Sequence, residues 1–253
     1  MHIGISIYKQ KEDQVLACIM SALEQTYEDI IISIRFDGLD AGSPELMHKL
    51  QLLSLKERRL VIDVGQDNLG TFGSYQKIFD RSTSQYICQL DADDMLDKKA
   101  IELSLLVLES EPSVAMVYTD CMQIDEDGSM VGLRKENQLA LTPTSLLVNY
   151  ITFHVRVIKL SFYLKVGGYD PFFRYAGDYD LSLKLQEIGL IAYIPRPLYI
   201  YRVHNQSSSQ INKFMTNSEA LIASQNALIR RGLANIYEIS LDSISGCMSL
   251  ALH

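Results

Sequence analysis

The sequence has few cations and no long apolar run. Its 253 residues include 23 Lys and Arg against 31 Asp and Glu, a formal net charge of −8 at pH 7. Because binding to a phosphate backbone depends on clustered cations, this charge argues against a nucleic-acid partner. No apolar stretch reaches the roughly 20 residues that cross a bilayer, and the residues after Met1 lack the basic start of a secretory signal. We expect a cytoplasmic protein that associates at most peripherally with the inner face of the membrane.

The sequence also lacks motifs for zinc binding, for thiol redox chemistry and for glycine-rich nucleotide-binding loops. The four cysteines are far apart and show no C-x-x-C spacing, so we expect them to be reduced, buried thiols. Neither G-x-x-x-x-G-K-[ST] nor G-x-G-x-x-G occurs. These absences argue against nucleoside triphosphate hydrolysis and dinucleotide redox chemistry. A diphosphate held through a metal ion stays compatible with the sequence.

The first 120 residues alternate short β-branched runs with segments of helical period. This pattern is typical of βαβ units, and it predicts an α/β fold with a mostly parallel sheet and helices on both faces. The predicted strands are 3–8, 30–36, 60–64, 86–90 and 114–118. The alternation then weakens into a smaller mixed region, with two more strands at 190–194 and 198–203. One amphipathic helix is predicted from Ile211 to Tyr237, packed on the domain or on a second subunit of a homodimer.

Polar residues follow four of the predicted strands, at the edge where ligands of an open α/β sheet bind. They are Tyr8-Lys9, Asp37-Gly38, 67–70 and 91–94. The last of these turns is the sharpest signal, because three carboxylates within four residues repel one another unless a cation or solvent separates them. Oxygen ligands suit Mg²⁺ or Mn²⁺, which take further ligands from a substrate's phosphates. The structural alternative is a solvated acidic loop in which Asp94 or Asp97 merely caps the next helix.

The second half adds carboxylate, imidazole and aromatic candidates. Asp178 precedes a predicted helix, where it is either an N-cap or a general base at the edge of a cleft. His204 ends a strand, a position where a lone histidine is commonly structural. Five aromatic residues are more typical of a core or cleft wall than of sugar stacking. They are Tyr163, Tyr169, Phe172, Phe173 and Tyr175.

Taken in chain order, these segments resemble the family 2 glycosyltransferases, inverting enzymes with a GT-A fold, in the branch that builds bacterial surface polysaccharides. The resemblance runs from about residue 3 to residue 209. The matching motifs are Ser21 to Tyr27 (S-x-x-x-Q-T-Y), Asn68 to Gly70 (N-x-G), Asp91 to Asp93 (D-x-D), Gly167 to Asp170 (G-G-[FY]-D), Gly177 to Leu181 (E-D-x-D-L) and Tyr201 to His204 (Y-R-x-H). Each motif is unspecific alone, but their shared order is not.

The resemblance implies transfer of a sugar from a nucleotide-diphosphate donor to a hydroxyl of a glycan or lipid-linked acceptor. It implies Asp178 as the catalytic base, and Asp93, Asp91 and His204 as ligands of Mn²⁺ or Mg²⁺. The implied donor-binding residues are Ser6, Tyr8, Asp37, Asn68, Gln76, Asp91 and Ala92. The implied acceptor-side residues are His154, Gly168, Tyr169 and Gly177. A UDP-sugar is the favoured donor, and GDP- and dTDP-sugars are also compatible.

The resemblance also implies a GT-A domain over 1–209, divided into a nucleotide-sugar half (1–120) and an acceptor half (121–209), and a helical extension over 210–253. Phe36 and Gly177 depart from the family pattern, which has acids at both places. The departures leave open a catalytically impaired subunit that binds sugar nucleotides or glycans and works with a partner. A nucleotidyltransferase is disfavoured, because its glycine-rich, basic amino-terminal loop is absent.

Overall fold

The computed structural model of the chain describes residues 1–134, 139–204, 212–242 and 245–253. Its first part alternates strands and helices as the sequence predicts. The elements are β1 (His2–Ile7), α1 (Glu12–Leu23), β2 (Ile31–Phe36), α2 (Pro44–Lys56), β3 (Leu60–Val64), α3 (Gly70–Phe79), β4 (Tyr86–Asp91), β5 (Met95–Leu96) and α4 (Ala100–Ser110). The Ser43 hydroxyl accepts a hydrogen bond from the N–H of Leu46 and so caps α2, as its position before Pro44 predicts.

The middle of the chain adds longer strands and short helices. They are β6 (Val114–Ile124), β7 (Met130–Leu133), α5 (Ser145–Val148), β8 (His154–Lys159), α6 (Leu160–Lys165), α7 (Gly177–Ile188) and β9 (Leu190–Arg202). The prediction of two strands at 190–194 and 198–203 is wrong, since β9 runs through both. Its two prolines lie in an exposed stretch where the pairing with β6 changes register, so their missing N–H groups do not end the strand.

One sheet organises the molecule. Its strand order is β3-β2-β1-β4-β8-β6-β9-β5, with β7 beside β6. The strands β1 to β4 are mutually parallel, as are β6 and β9, whereas β8 runs antiparallel to both of its neighbours. Helices α1, α2 and α4 share one buried apolar cluster with the strands, and α3, α6 and α7 share another. The predicted α/β class is confirmed.

The C-terminal part is helical only in its first section. Helix α8 (Lys213–Arg230) is followed by β10 (Tyr237–Leu241) and β11 (Met248–Leu252), which pair as an antiparallel hairpin. The helix predicted to reach Tyr237 ends earlier because Gly232 adopts a φ of +67° and reverses the chain. The predicted helix start at Ile211 and the predicted domain boundary after residue 209 lie outside the described residues. Three cysteines are buried as expected, but Cys247 is exposed.

Candidate active site

The acidic turn after β4 lies at the carboxyl edge of the parallel strands, where β1 and β2 also end. Asp91 is the last residue of β4 and pairs in register with Ser6 of β1. Tyr8 lies just beyond β1 and is 41% exposed, so its ring is accessible to a ligand. Ala92, inside the turn, is buried. The topology therefore brings the predicted donor-side residues of two strands to one edge, as expected for an open α/β sheet.

Asp91 is oriented by hydrogen bonds on one of its carboxylate oxygens. Its Oδ1 accepts from the Tyr75 hydroxyl and from the Gln89 side-chain amide, both at 2.9 Å. The other oxygen, Oδ2, lies 3.7 Å from Nε2 of His154. Burial is the main cause that raises the pKa of Asp91, and the Asp93 charge raises it further. A cation bound next to Oδ2 would oppose both effects.

Asp93 and His204, which the sequence places 111 residues apart, are in contact. Nε2 of His204 lies 2.9 Å from Oδ2 of Asp93, and both side chains are partly accessible. The hydrogen bond with Asp93 is the main cause that raises the pKa of His204. The backbone of Asp93 is held too, since its carbonyl accepts from Nε of Arg202 at 3.1 Å. The structure thus brings together two side chains that the resemblance implies as ligands of one metal ion, a role that stays a prediction.

Asp94 is the buried member of the acidic turn. It is 1% exposed, and its two oxygens accept from the Tyr199 hydroxyl and from the Arg202 N–H, each at 2.8 Å. Burial raises the pKa of Asp94 well above its usual range. These contacts tie the acidic turn to β9. Of the two predicted alternative caps of α4, Asp94 is engaged by β9 instead, whereas Asp97 accepts from the N–H of Lys99 at 2.9 Å just ahead of the helix.

The described residues contain one three-residue group that meets metal-ligand spacing, and it is not the predicted set. Ligand atoms of Asp91, Asp94 and His154 lie within 4.8 Å of one another. Burial lowers the pKa of His154 well below its usual value, so its imidazole is neutral, the form that binds metals. The two carboxylates suit Mn²⁺ or Mg²⁺, and the imidazole favours Mn²⁺ of these two ions. Sequence reasoning placed His154 on the acceptor side, whereas the structure places it beside Asp91.

Asp37 supports the neighbouring loop. It is 1% exposed, and its Oδ1 accepts from the N–H of Leu69 at 2.8 Å and from the Ser74 hydroxyl at 2.7 Å. Asn68 closes the same loop by accepting from the N–H of Gly70 at 3.0 Å. Gln76, in the second turn of α3, is partly buried. The predicted contacts of these side chains with a nucleotide stay predictions.

Asp178 lies in the first turn of α7 and contacts a buried arginine. Its Oδ2 is 3.0 Å from Nη2 of Arg156, a residue of β8 that is 1% exposed. Arg156 also donates from Nη1 to the Tyr150 hydroxyl at 2.7 Å and to the carbonyl of Thr152 at 3.2 Å. Asp178 is not the N-cap of α7, because Ala176 takes that position. The carboxylate therefore makes two contacts, Oδ2 with Arg156 and Oδ1 with the N–H of Tyr179, from which it accepts at 2.9 Å in the first turn of α7.

Arg156 is a site residue that sequence reasoning missed. A signal was available, because it stands in the apolar run Val155 to Ile158, and a charge buried in such a strand must be paired. The sequence does not indicate the partner, which lies 22 positions away. The Arg156 charge also lowers the pKa of Asp91, although burial has the larger, opposite effect. Arg156 thus acts electrostatically on both Asp178 and the acidic turn.

The glycine-rich turn ahead of α7 is attached to the same region. The Tyr169 hydroxyl donates to Oε1 of Gln89 at 2.7 Å, and Gln89 holds Asp91 through its amide nitrogen. Gly168 has a φ of +67°, and a Cβ there would lie 2.7 Å from the ring of Tyr163. A Cβ at Gly177 would lie 2.6 Å from the ring of Phe72, which explains the glycine where the family pattern has an acid.

Most of the predicted aromatic cluster forms part of the core. Tyr163, Tyr169 and Phe173 are buried, in agreement with the core interpretation, whereas Phe172 is 63% exposed. Phe172 borders an open cleft of about 290 Å³ between the start of α3 and the turn ahead of α7. Phe72 lines the same cleft and contacts the position of Gly177. Of the five aromatics, Phe172 is the one whose ring is largely accessible.

Comparison with known proteins identifies the family. The model of glycosyl transferase family 2 matches residues 3–165, which contain β1 to β4, the acidic turn and β8. The chain belongs to this family. The resemblance inferred from the motifs is thereby confirmed. Asp178 and His204 lie beyond the matched residues, so their roles rest on the geometry above.

Curated relatives of this family 2 chain include polysaccharide synthases. The chondroitin synthase of Pasteurella multocida is 26% identical over 218 residues, which cover 86% of this chain and 22% of that protein. The chondroitin synthase of Escherichia coli is 28% identical over 195 residues, 77% of this chain and 28% of that protein. The chain therefore spans about a quarter of the length of these relatives.

Solved structures share the fold of this family 2 chain. S. aureus TarS in complex with UDP-GlcNAc superposes with a TM-score of 0.71 at 9% identity, over 90% of this chain and 65% of that one. The mannosyltransferase PcManGT from Pyrobaculum calidifontis, in complex with GDP-Man and Mn²⁺, gives a TM-score of 0.69 at 13% identity, over 90% and 64%. The predicted GT-A fold is confirmed. Among the described residues, no helix is long and apolar enough to cross a membrane.

Proposed function

We propose that this family 2 chain is a metal-dependent, inverting glycosyltransferase of bacterial surface polysaccharide synthesis. It moves a sugar from a nucleotide-diphosphate donor, preferably a UDP-sugar, to a hydroxyl of a glycan or lipid-linked acceptor. The observation that carries the proposal is that β8 holds both Arg156, which lies 3.0 Å from Asp178, and His154, whose ligand atom lies within 4.8 Å of those of Asp91 and Asp94. One strand therefore connects the candidate base with the candidate metal site.

The donor side of this proposal is the edge formed by β1, β2 and β4. Asp93, Asp91 and His204 would hold the divalent cation, and Asp94 and His154 have ligand atoms beside Asp91. When bound, the ion would supply positive charge that stabilises the departing diphosphate. Structural neighbours in complex with UDP-GlcNAc, and with GDP-Man and Mn²⁺, support a nucleotide-sugar donor and a divalent cation.

The acceptor side is the start of α7. The acceptor hydroxyl gives its proton to Asp178 as its oxygen attacks the anomeric carbon of the donor sugar. The bond from that carbon to the diphosphate oxygen breaks, its electron pair leaves with the diphosphate, and a single displacement inverts the anomeric configuration. Arg156 keeps the carboxylate in place and offsets the cost of burying its charge. The curated relatives, which are synthases of chondroitin and hyaluronan, support a polysaccharide product.

The test is nucleotide release from a panel of UDP-, GDP- and dTDP-sugars with Mn²⁺, with and without chondroitin and hyaluronan oligosaccharides as acceptors. We expect Asp178→Asn to lower acceptor-dependent release by about 10²- to 10⁴-fold, because it removes the general base. Asp93→Ala should weaken the dependence of release on Mn²⁺. Donor plus Mn²⁺ should raise the melting temperature of the wild type by mass action.

Asp97→Asn is the matched control. Asp97 lies three positions beyond Asp94, and its carboxylate accepts a hydrogen bond from the N–H of Lys99, outside the acidic cluster. Its substitution should leave nucleotide release unchanged. The assignment of roles is overturned if wild-type release survives both Asp93→Ala and Asp178→Asn. Donor binding with Mn²⁺ but no release with any acceptor would instead favour a non-catalytic binding subunit.

A further inference from the structure

Helix α8 contacts the start of α7 through a buried carboxylate. Oε2 of Glu219 accepts hydrogen bonds from the N–H of Tyr175 at 2.6 Å and from the N–H of Ala176 at 3.0 Å. Glu219 is 8% exposed, so it is shielded from the water that would otherwise weaken these bonds. A glutamate buried this far needs partners, and the backbone ahead of α7 provides them.

The two N–H groups belong to the segment that leads directly into Asp178. Ala176 is the N-cap residue of α7 and has no side-chain cap bond, whereas further into the first turn Asp178 Oδ1 accepts from the N–H of Tyr179 at 2.9 Å. In many helices a glutamate of the first turn reaches back to the N-cap N–H. Here that acceptor comes from another helix, 43 residues further along the chain. The charge of Glu219 is also favourable at the positive end of the α7 dipole.

Asp178 is thus held from two directions. Arg156 contacts its carboxylate, and Glu219 fixes the backbone two residues before it. The contact with Glu219 fixes the backbone at the start of α7. It therefore fixes the position of the Asp178 Cα, from which the side chain extends. Both Asp178 and Glu219 lie outside residues 3–165, which the family model matches.

We propose that Glu219 is a positioning residue for Asp178, which makes helix α8 part of the active site of this chain. The inference rests on the proposed function, because it takes Asp178 to be the general base. Glu219 does not touch substrate. Glu219 sets the position and orientation of the Asp178 carboxylate relative to the acceptor hydroxyl. A displacement of about 1 Å at such a group lowers the rate by up to about a hundredfold.

The test compares three variants of Glu219 with a control on the same helix. Glu219→Met removes the acceptor oxygen at similar volume, Glu219→Asp withdraws it by one methylene, and Glu219→Gln keeps an oxygen that can accept both bonds. Ser224→Ala is the control, because Ser224 joins α8 to α7 through the Tyr179 hydroxyl at 3.1 Å and does not contact the backbone ahead of Asp178.

The primary readout is steady-state transfer with the donor and acceptor found for the wild type. We expect Glu219→Met to lower kcat by about ten- to a hundredfold while KM for the donor changes less than about twofold, since the donor edge is untouched. The kcat of Glu219→Asp should lie between those of Glu219→Met and the wild type, and Glu219→Gln should keep most of the wild-type kcat. Ser224→Ala should keep the wild-type kcat.

Hydrogen exchange of the Tyr175 and Ala176 amides provides a second readout that needs no activity. We expect faster exchange there in Glu219→Met and Glu219→Asp, and wild-type exchange in Glu219→Gln and Ser224→Ala. If Glu219→Met does not fold, the Asp variant provides both readouts. The inference is overturned if the wild type is active and the folded Met or Asp variant has the same kcat, or if Ser224→Ala lowers kcat as much as Glu219→Met does.

A wild type that is inactive with every donor contradicts the proposed function and with it the positioning role. The exchange data test the contact of Glu219 with the two amides separately from activity.

Discussion

The guanidinium of Arg156 and the carboxylate of Asp178 lie 3.0 Å apart in a place that water hardly reaches. Arg156 is 1% exposed, and the Asp178 side chain is 15% exposed. Taking two charges out of water is costly, and their attraction offsets this cost only while both are present. The pair therefore couples the stability of the fold to the orientation of the candidate base.

Replacing Arg156 tests this coupling. We expect Arg156→Met to lower the free energy of unfolding by about 3–5 kcal/mol, because it leaves the Asp178 carboxylate buried without its partner. Adding Asp178→Asn should return part of that loss, so the double variant should be more stable than the sum of the single changes predicts. Urea unfolding of the four proteins measures the cycle.

Arg231→Met is a suitable control for the Arg156 cycle. Arg231 contacts Gln186 and the carbonyl of Leu183 at the far end of α7. The effects of Arg231→Met and Asp178→Asn on the free energy of unfolding should be additive, since the two sites share no partner. Additive effects of Arg156→Met and Asp178→Asn would show that the pair is not coupled.

Gly177 gives a steric prediction. We expect Gly177→Ala to lower the free energy of unfolding by about 1–3 kcal/mol, because the new methyl group overlaps the Phe72 ring and overpacks the contact between α3 and α7. Gly177→Glu, which restores the acid of the family pattern, should lower the free energy of unfolding by more than Gly177→Ala does. In a Phe72→Ala background the cost of Gly177→Ala should largely vanish. Equal costs in both backgrounds, measured by urea unfolding, would refute the steric explanation.

Contacts close in sequence were within reach of prediction. The acidic turn was recognisable because its three carboxylates fall within four residues after a strand, and the sheet topology places the end of each parallel strand at one edge. The Ser43 cap of α2 and the alternation of elements are equally local. That Asp93 and His204 belong to one site came from the family pattern, not from spacing.

Contacts between elements that are distant in sequence could not be predicted from the sequence. Arg156 reaches Asp178 from β8, and Glu219 reaches Ala176 from α8, so each pair depends on how separate elements pack. The position of His154 beside Asp91 depends on β8 lying antiparallel to β4, which periodicity does not encode. Prolines misled the prediction for β9, because their usual effect on strands is overridden where the pairing changes register.

His2 gives a pH prediction. Burial is the main cause that lowers the pKa of His2 to about 4, and its Nε2 lies 2.8 Å from the Ser33 hydroxyl. The folded state therefore favours the neutral imidazole, whereas the unfolded chain binds a proton near its ordinary pKa of about 6.5. The contribution to stability is complete above about pH 6.5 and is lost as the pH falls towards about 4, by up to about 3 kcal/mol.

His2→Gln isolates that contribution, because the amide can keep the hydrogen bond to Ser33 but does not titrate. Urea unfolding at a series of pH values should show a shallower loss of stability on acidification for the variant than for the wild type. Parallel curves for the two proteins would assign the acid sensitivity to other groups.

Asp37 gives the last prediction, which separates two roles. Its Oδ1 accepts from Leu69 and from Ser74, and it is 1% exposed, so we expect it to affect nucleotide binding by holding the 68–70 loop rather than by the direct contact that the family resemblance implies. Asn can keep both hydrogen bonds without the charge. We therefore expect Asp37→Asn to bind nucleotide within about threefold of the wild type, because the loop stays in place.

Removing the acceptor at this position should have a graded effect. Asp37→Ala releases both donors and should cost about 2–3 kcal/mol of stability, whereas Ser74→Ala removes one bond and should cost about 1 kcal/mol. Nucleotide affinity, measured by calorimetry with Mn²⁺, should fall in the same order, since the loop is progressively released. If Asp37→Asn instead lost affinity as strongly as Asp37→Ala while it kept the wild-type stability, the charge itself would contact the nucleotide, and support of the loop would not explain the role of Asp37.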